Sequence, residues 1–600
     1  MKKKRGLRWN LDEVATEAGF EKLRSEIRKE TKKAETWIKK LRPEMGIEDF
    51  GKMMKWWMEL EEKIARLVYL PHLREETRQN DRKAKLLKMQ ANDTALECEE
   101  KIRPISHWLK GLEGGEKKLD DKNAKRLFAS QTKLKYFLEY GRKAAKHSLA
   151  LREEEIASNK DSYGLEAVLD LREMIETRMR YKIVESDKSK VTSDKSKVVK
   201  TQAELMKYVH SVKKEEREGA YRALFEAHKK EIDKLFLIYQ TAVKNWDYEA
   251  KIRGYKSAIA MRNFANRVPD EAVESLLSVC EEKRGIFGKF FEFKAKTLGV
   301  KKLNRFDLYA PMPKEEKKAK KYSFETAKKI VLETMYDFSD KFGARAEIVF
   351  DDEHIDSHPR PQKRSGAFCA TVGPKISPFV LLNHTGDWRS ISTLAHELGH
   401  AVHGLYANKQ EIVTQDAPLP LAETASTLAE MILFEKILAK EKDEKIKKSM
   451  LWEKISDSYA TVLRQNYFVK FEIEAHKRFG WGLEVEDLGE IWLSGLKEQF
   501  GKSVEVDKVF ADEWSYIPHI VQSPFYCYSY SFGELLSLAM FAQYKKEGKS
   551  MVKKIEKILE TGGSEEPEKI LARVGIEMKD KKFWEKGFGI IENWVEELKK

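Results

Sequence analysis

The sequence predicts a mainly α fold of at least two lobes, with one small β-sheet directly ahead of a long amphipathic helix. Three observations predict it. Six hundred residues are too many for one hydrophobic core, so the chain is expected to divide into lobes. Most of it carries helical periodicity with few Gly or Pro, in Lys- and Glu-rich stretches. The only convincing strand signals, AEIVFDD, RSGAFCATV and PFVLLN, lie together just before Asp387 and are divided by Gly and Pro clusters.

From residue 11 to about 180 the pattern is long and helical, broken at Pro71, Pro104 and the stretch 111–115. This reads as an N-terminal helical lobe, residues 1–200, with residues 201–600 forming the domain that carries the chemistry. The hexapeptide SDKSKV follows the strand-like RYKIVE and occurs twice, at 186–191 and 193–198. That is far below a solenoid period and is expected to be a hairpin or a flexible connector. Thr201 caps the next helix. Helical pattern resumes to about residue 296, Pro311 and Pro313 punctuate LNRFDLYAPMP, and a helix from 324 to about 342 leads into the strand region.

With 41% hydrophobic and 35% charged residues the chain reads as globular, and no apolar run approaches the roughly 18 residues of a membrane span. The start MKKKRGLRWNLDEV resembles a secretory n-region but passes into charged, helix-forming sequence without an apolar core, so a cytoplasmic location is expected. Cys98, Cys280, Cys369 and Cys527 have no C-x-x-C spacing, which argues for free buried thiols rather than disulfides or a structural zinc site. A formal charge of +14 raises the question of a nucleic-acid partner. No basic patch interleaved with aromatics, finger or recognised nucleic-acid fold accompanies it, so none is expected; the excess reads as a solvated surface that tolerates acidic substrates.

The chemistry concentrates in DWRSISTLAHELGHAVHGLYAN, residues 387–408, where His396, Glu397 and His400 form H-E-x-x-H. At about 100° per residue, Ile391, Leu394, Leu398, Val402 and Leu405 share one helix face, while His396, His400 and His403 face the opposite way. Asp387 is placed to cap this helix and Asn408 to stop it. Histidines four residues apart lie about 5–6 Å apart at Cβ, close enough to hold one tetrahedral zinc. Glu397 is turned aside, where a general base for an activated water belongs.

A second helix is expected near Leu421, after Pro418 and Pro420. Glu423, 23 residues beyond His400, sits early in it with Thr427 and Glu430 on the same face. Such a carboxylate can return to complete a two-His, one-Glu site. Taken alone, Glu423 reads better as a helix-start glutamate favoured by the dipole, and it is the first motif that turns the reading toward a ligand. His403 and Tyr406 stand where another zinc pattern needs Gly and a third His, which excludes that pattern. His403 is expected to be a hydrogen-bonded neighbour, and Glu430 either a group that orients a ligand or a plain packing residue. Near the C-terminus His519 precedes Tyr526, Tyr528 and Tyr530. These groups suit hydrogen bonding to a tetrahedral oxyanion, though an aromatic run before an apolar helix also reads as core.

HELGHAVH, AETASTLAE, KRSGAF with PFVLLN, and the closing H-x-x-x-x-x-FYCYSY resemble, in order, the oligoendopeptidase F family of thimet-oligopeptidase-like zinc metallopeptidases. RWNLDEV, RGYKSA and LNRFDLYAPM extend the resemblance more loosely through the first half, and SGAFC departs from the Tyr-containing form common in relatives. The resemblance implies a two-lobed helical molecule with a deep substrate channel, one zinc per chain on its floor, and oligopeptides as substrates. It implies His396, His400 and Glu423 as zinc ligands and Glu397 as base. It also implies that His519 and Tyr528 steady the transition state, with Tyr526 and Tyr530 as alternatives to Tyr528. The expected activity is hydrolysis of internal peptide bonds. A helical zinc carboxypeptidase with the same motif, or a peptide- or nucleic-acid-binding protein with a vestigial site, are the alternatives. The edge of the small sheet would let an extended substrate add itself as a strand.

Overall fold

Several helices of the chain begin where a short polar side chain accepts an otherwise unpaired backbone N–H, as Thr16, Asp81, Asp120, Thr201, Ser257, Ser323 and Asp443 do. The computed structural model describes residues 7–184, 196–199, 201–313, 321–480 and 482–600, and these are mostly helical with a few short strands. Pro71 and Pro104 do not break the helical pattern as expected: each lies inside a long helix, Ile47–Thr77 and Arg82–Leu109. A proline in a helix interior costs about 3 kcal/mol. Here each helix buries a face rich in large side chains, including Met53, Trp57, Leu60 and Leu67 on the first and Ile102, Ile105 and Trp108 on the second.

The chain forms two compact units, each gathered from three stretches. One comprises Met1–Ser148, Lys318–Lys440 and Met540–Glu577; the other comprises Leu149–Lys317, Glu441–Ala539 and Met578–Lys600. The boundary expected at residue 200 therefore falls inside the second unit.

In the first unit one core runs from the N-terminal helices to a three-stranded sheet, joining Trp9, Phe20, Phe50, Trp57 and Trp108 to Ala370, Phe379 and Leu381. Trp9 meets Phe368 and Phe379 edge-on at 6.2 and 5.8 Å. The strands are β1 (Ile355–Asp356), β2 (Phe368–Ala370) and β3 (Phe379–Leu381), in the order β1-β3-β2. β1 runs parallel to β3 and β2 antiparallel to it, with Cys369 opposite Val380. Among the described residues β2 pairs only with β3, so its outer edge is open.

The segment AEIVFDD is not a strand. It ends the helix Asp340–Asp351, whose buried residues Phe342, Ala346, Val349 and Phe350 have helical spacing. The single helix expected from 324 to about 342 divides at Ser339, whose extended backbone separates Phe324–Phe338 from Asp340–Asp351.

After β3 come helices α1 (Trp388–Tyr406) and α2 (Thr424–Lys440), with α1 packed on both the sheet and α2. Asp387 caps α1 as expected, accepting Ser390 N–H at 2.8 Å. The apolar stripe is buried: Ile391, Leu394, Leu398 and Val402 are each 0% exposed. α1 ends at Tyr406 and continues as one 3-10 turn through Lys409, so Asn408 does not stop it in the left-handed conformation. Gly399 fixes the approach of α2: a Cβ there would lie 2.5 Å from Ser426 Cα and 2.7 Å from Ala425 O. Gly399→Ala is accordingly expected to push α2 off α1, costing about 1–3 kcal/mol of stability. Thermal melts of that variant check this.

The second unit contains α3 (Arg464–Phe479), entered through one π-helical turn, Tyr459–Leu463, and α4 (Val485–Phe500), packed on α3. Tyr181–Val184 and Ser196–Val199 pair antiparallel. Residues 185–195, which hold most of the repeated hexapeptide, lie outside the described residues.

Candidate metal centre

The H-E-x-x-H spacing on α1 brings the two imidazoles together, with His396 Nε2 and His400 Nε2 3.2 Å apart. Glu423 reaches them from the junction before α2: it closes the short turn Leu419–Ala422, which carries Pro420, and the long helix starts at the next residue. Its Oε2 lies 3.4 Å from each Nε2. Ligand atoms around a tetrahedral ion with bonds of about 2.0–2.1 Å stand roughly 3.3–3.4 Å apart. The three donor atoms thus have the spacing of one face of such a tetrahedron, and among the described residues they are the group of His, Cys and carboxylate side chains gathered closely enough to hold a metal ion.

Neighbouring side chains fix the donors. Ser426, three residues beyond Glu423 and so on the same helical side, donates to Glu423 Oε2 at 2.8 Å. His396 Nδ1 is 2.5 Å from Glu430 Oε1, which leaves Nε2 facing the centre. The sequence signal for the Ser426 contact is the E-x-x-S spacing of Glu423 and Ser426. Of the two roles expected for Glu430, its contact with the His396 ring favours the one that orients a ligand.

The electrostatics match a cation site. Burial lowers the His396 pKa, but Glu430, Glu397 and Glu423 outweigh it and push it up to about 9. Burial raises Glu423, yet His400, His396 and Ser426 hold it down at about 2. The site therefore keeps the Glu423 carboxylate ionised and draws positive charge to His396. Glu397 is buried, and burial raises its pKa against the pull of His396 and His400. His403 is buried and bonded to the Ala422 backbone, and burial pushes it down to about 4, so it stands as a neutral neighbour.

Beside the centre, within the same unit, lies a cavity of about 470 Å³. Gly366 and Ala367 ahead of β2, Asn383 after β3, and Thr393, Glu397 and Glu430 bound it. Burial raises the pKa of the β2 thiol, Cys369, well above the ordinary thiol value, and the nearby Glu397 carboxylate adds to the rise. The residues leading into β2, the general-base candidate Glu397 and one of the three donors, His396, therefore line one space.

His519 lies in the second unit. Its Nε2 is 3.4 Å from Tyr530 Oη, and the Tyr526 ring stacks against it at 6.3 Å. Tyr528 does not join this group: it is 0% exposed, and its phenol oxygen accepts a hydrogen bond from Asn266 at 2.7 Å. The alternation of Tyr526, Tyr528 and Tyr530 gave no way to choose among them. A helix begins at Tyr528, and residues two apart on a helix point about 200° away from each other, so burying Tyr528 turns Tyr530 outward. The turn is held by Glu472, buried at 0% exposure, whose Oε1 accepts Phe525 N–H at 2.6 Å while Phe525 has φ +58°.

A mainly helical fold carrying H-E-x-x-H on one helix and a third carboxylate at the start of the next defines the class of helical H-E-x-x-H peptidase folds. Comparison with known proteins gives the family. Residues 207–590 match the family model described as Peptidase family M3, and the chain belongs to that family. Oligopeptidase PepF of Bacillus subtilis is 27% identical over 374 residues, which span 62% of this chain and 55% of that protein. The chain thus matches little more than half the length of this relative. Among solved structures, a protein of Chlamydophila abortus superposes with a TM-score of 0.84 at 21% identity, covering 98% of this chain and 97% of that one. Oligoendopeptidase-F from Enterococcus faecium superposes with a TM-score of 0.69 at 20% identity, covering 98% and 99%. Both likenesses concern the fold. Among the described residues no helix is long and apolar enough to cross a membrane.

Proposed function

We propose that the chain is a zinc-dependent endopeptidase that hydrolyses internal bonds of oligopeptides, with His396, His400 and Glu423 holding the metal and Glu397 as general base. The observation that carries this reading is the convergence of the three donor atoms at 3.2–3.4 Å. Zinc held there supplies Lewis acidity, polarising a carbonyl and making water acidic enough to yield a nucleophile near pH 7. Glu397 takes the proton from that water and returns it to the leaving amine; its raised pKa suits both halves of the task. The open edge of β2 supplies backbone groups to an extended substrate. Ser426 and Glu430 keep the donors aimed, so the site does not reorganise during turnover.

We extend the proposal to His519 and Tyr530 as donors to the transition-state oxyanion. The residue pattern shared with the oligoendopeptidase F family supports this, and the side-chain geometry favours Tyr530, bonded to His519, over Tyr528. Tyr530→Phe is expected to lower kcat by about 10²-fold with little change in KM, as loss of one oxyanion donor does. Tyr528→Phe keeps kcat within about fivefold. The reverse ranking in steady-state kinetics would return the role to Tyr528.

The function itself is tested by mass spectrometry of peptides from about five to thirty residues long after incubation with zinc-loaded protein. Internal cleavage of the shorter peptides is the expected result. Stepwise loss of C-terminal residues would make the chain a carboxypeptidase, and no cleavage at stoichiometric zinc would defeat the enzymatic reading.

A further inference from the structure

A second cavity, of about 430 Å³, lies between α3 and α4 in the second unit and includes none of the residues described above as donors, base or oxyanion groups. Its volume falls within the range of small-ligand sites. Its floor is electrostatically unbalanced. Glu513, at 0% exposure, is a single carboxylate set against two guanidinium groups, with Oε1 2.5 Å from Arg305 Nη2 and 3.3 Å from Arg464 Nη2. Arg464 also donates to Tyr516 Oη at 2.8 Å. Arg464 and Glu513 both line the cavity, so one formal positive charge in excess stands at its base. A largely desolvated guanidinium without its own counter-ion is costly, and an anion offsets that cost best by accepting from its planar fork.

The wall and the rim differ from the floor. Phe468, Phe471 and Trp492 form an apolar wall, with ring centroids of Phe471 and Trp492 4.9 Å apart. Lys470 at the rim is already neutralised by Glu281 and Glu498, at 2.9 and 2.7 Å. Glu474 and Glu490 also line the cavity and have no ion-pair partner among the described residues. A guanidinium that shares its buried counter-ion, an aromatic surface and two further carboxylates, all lining one cavity, complement a small zwitterion with an apolar side chain.

We propose that this cavity binds the free ends of an amino acid or dipeptide. The α-carboxylate sits on Arg464, the α-ammonium between Glu474 and Glu490, and the side chain against Phe468, Phe471 and Trp492. The assignment stands independently of the metal centre.

The test is calorimetric titration of zinc-loaded, full-length Glu397→Gln protein with Ala-Phe, N-acetyl-Ala-Phe and Ala-Phe-amide, repeated in a Glu474→Gln/Glu490→Gln background and in an Arg464→Gln background. Saturable binding of Ala-Phe is expected, at least tenfold tighter than that of either blocked dipeptide. The rim pair of substitutions is expected to weaken Ala-Phe about tenfold while leaving N-acetyl-Ala-Phe unchanged, and Arg464→Gln to weaken both. The rim variant alone decides the matter if Arg464→Gln does not fold. Absence of saturable binding, or binding equal in all three backgrounds, overturns the proposal, the latter by placing the dipeptide elsewhere.

Discussion

Replacing Glu397 by Gln is expected to leave the centre loaded with one zinc and to lower kcat by about 10²–10⁴-fold, the usual contribution of a positioned general base. Glu397 follows His396 on α1, about 100° further round the helix, and lines the cavity beside the centre. The Gln side chain has nearly the same size and keeps an accepting oxygen, but it takes no proton near neutral pH. Packing, metal binding and substrate docking should all survive. The measurement is therefore paired: zinc content by metal analysis, and kcat and KM on one internally quenched peptide. Full zinc with kcat within tenfold of wild type would remove Glu397 from the mechanism. Loss of zinc together with kcat would show instead that the carboxyl helps to hold the ion.

Helix α1 was legible in the sequence because three independent signals coincide in one 22-residue stretch, residues 387–408: a capping Asp387, a stripe of five apolar residues, and histidines at a four-residue interval. Glu423 was harder, since its 23-residue separation from His400 is bridged by contacts no local pattern announces. The structure supplies them: Gly399 against Ala425 and Ser426, and Ser426 bonded to the carboxylate. AEIVFDD was misread because Ile, Val and Phe in a seven-residue run satisfy a strand. Only the helical spacing back to Phe342 identifies it, and the nearby strand, Ile355–Asp356, is two residues long and too short to signal itself. Pro71 and Pro104 misled for a related reason, since a strong proline signal is overridden where enough apolar surface is buried on the same helix. The tyrosines show a third limit. Which of three alternating phenols faces outward depends on where a helix starts, and that start follows from the Glu472 bond to Phe525, 53 residues away in sequence.

Glu423→Ala is expected to lower zinc affinity by more than about 100-fold and to abolish turnover as a consequence, which separates it from the loss at Glu397. Removing a group that merely orients a ligand costs about 10–100-fold, so loss of a direct ligand should exceed that. His396 and His400 would remain, and Glu430 would still hold His396 Nδ1, but two imidazoles leave half of a tetrahedral shell unfilled. The neighbouring carboxylates do not substitute. Glu430 is engaged on the far side of the His396 ring, and moving Glu397 inward would withdraw the base. Chelation then gives a readout free of catalysis. A ligand at 1,000 times its Kd stabilises the folded state by about 4 kcal/mol, so wild type and Glu397→Gln should lose several degrees of Tm when EDTA is added. Glu423→Ala should start near that lower Tm and change little. Equal EDTA shifts in all three proteins would mean that the ion is held without Glu423, and the two-His, one-Glu centre would have to be given up.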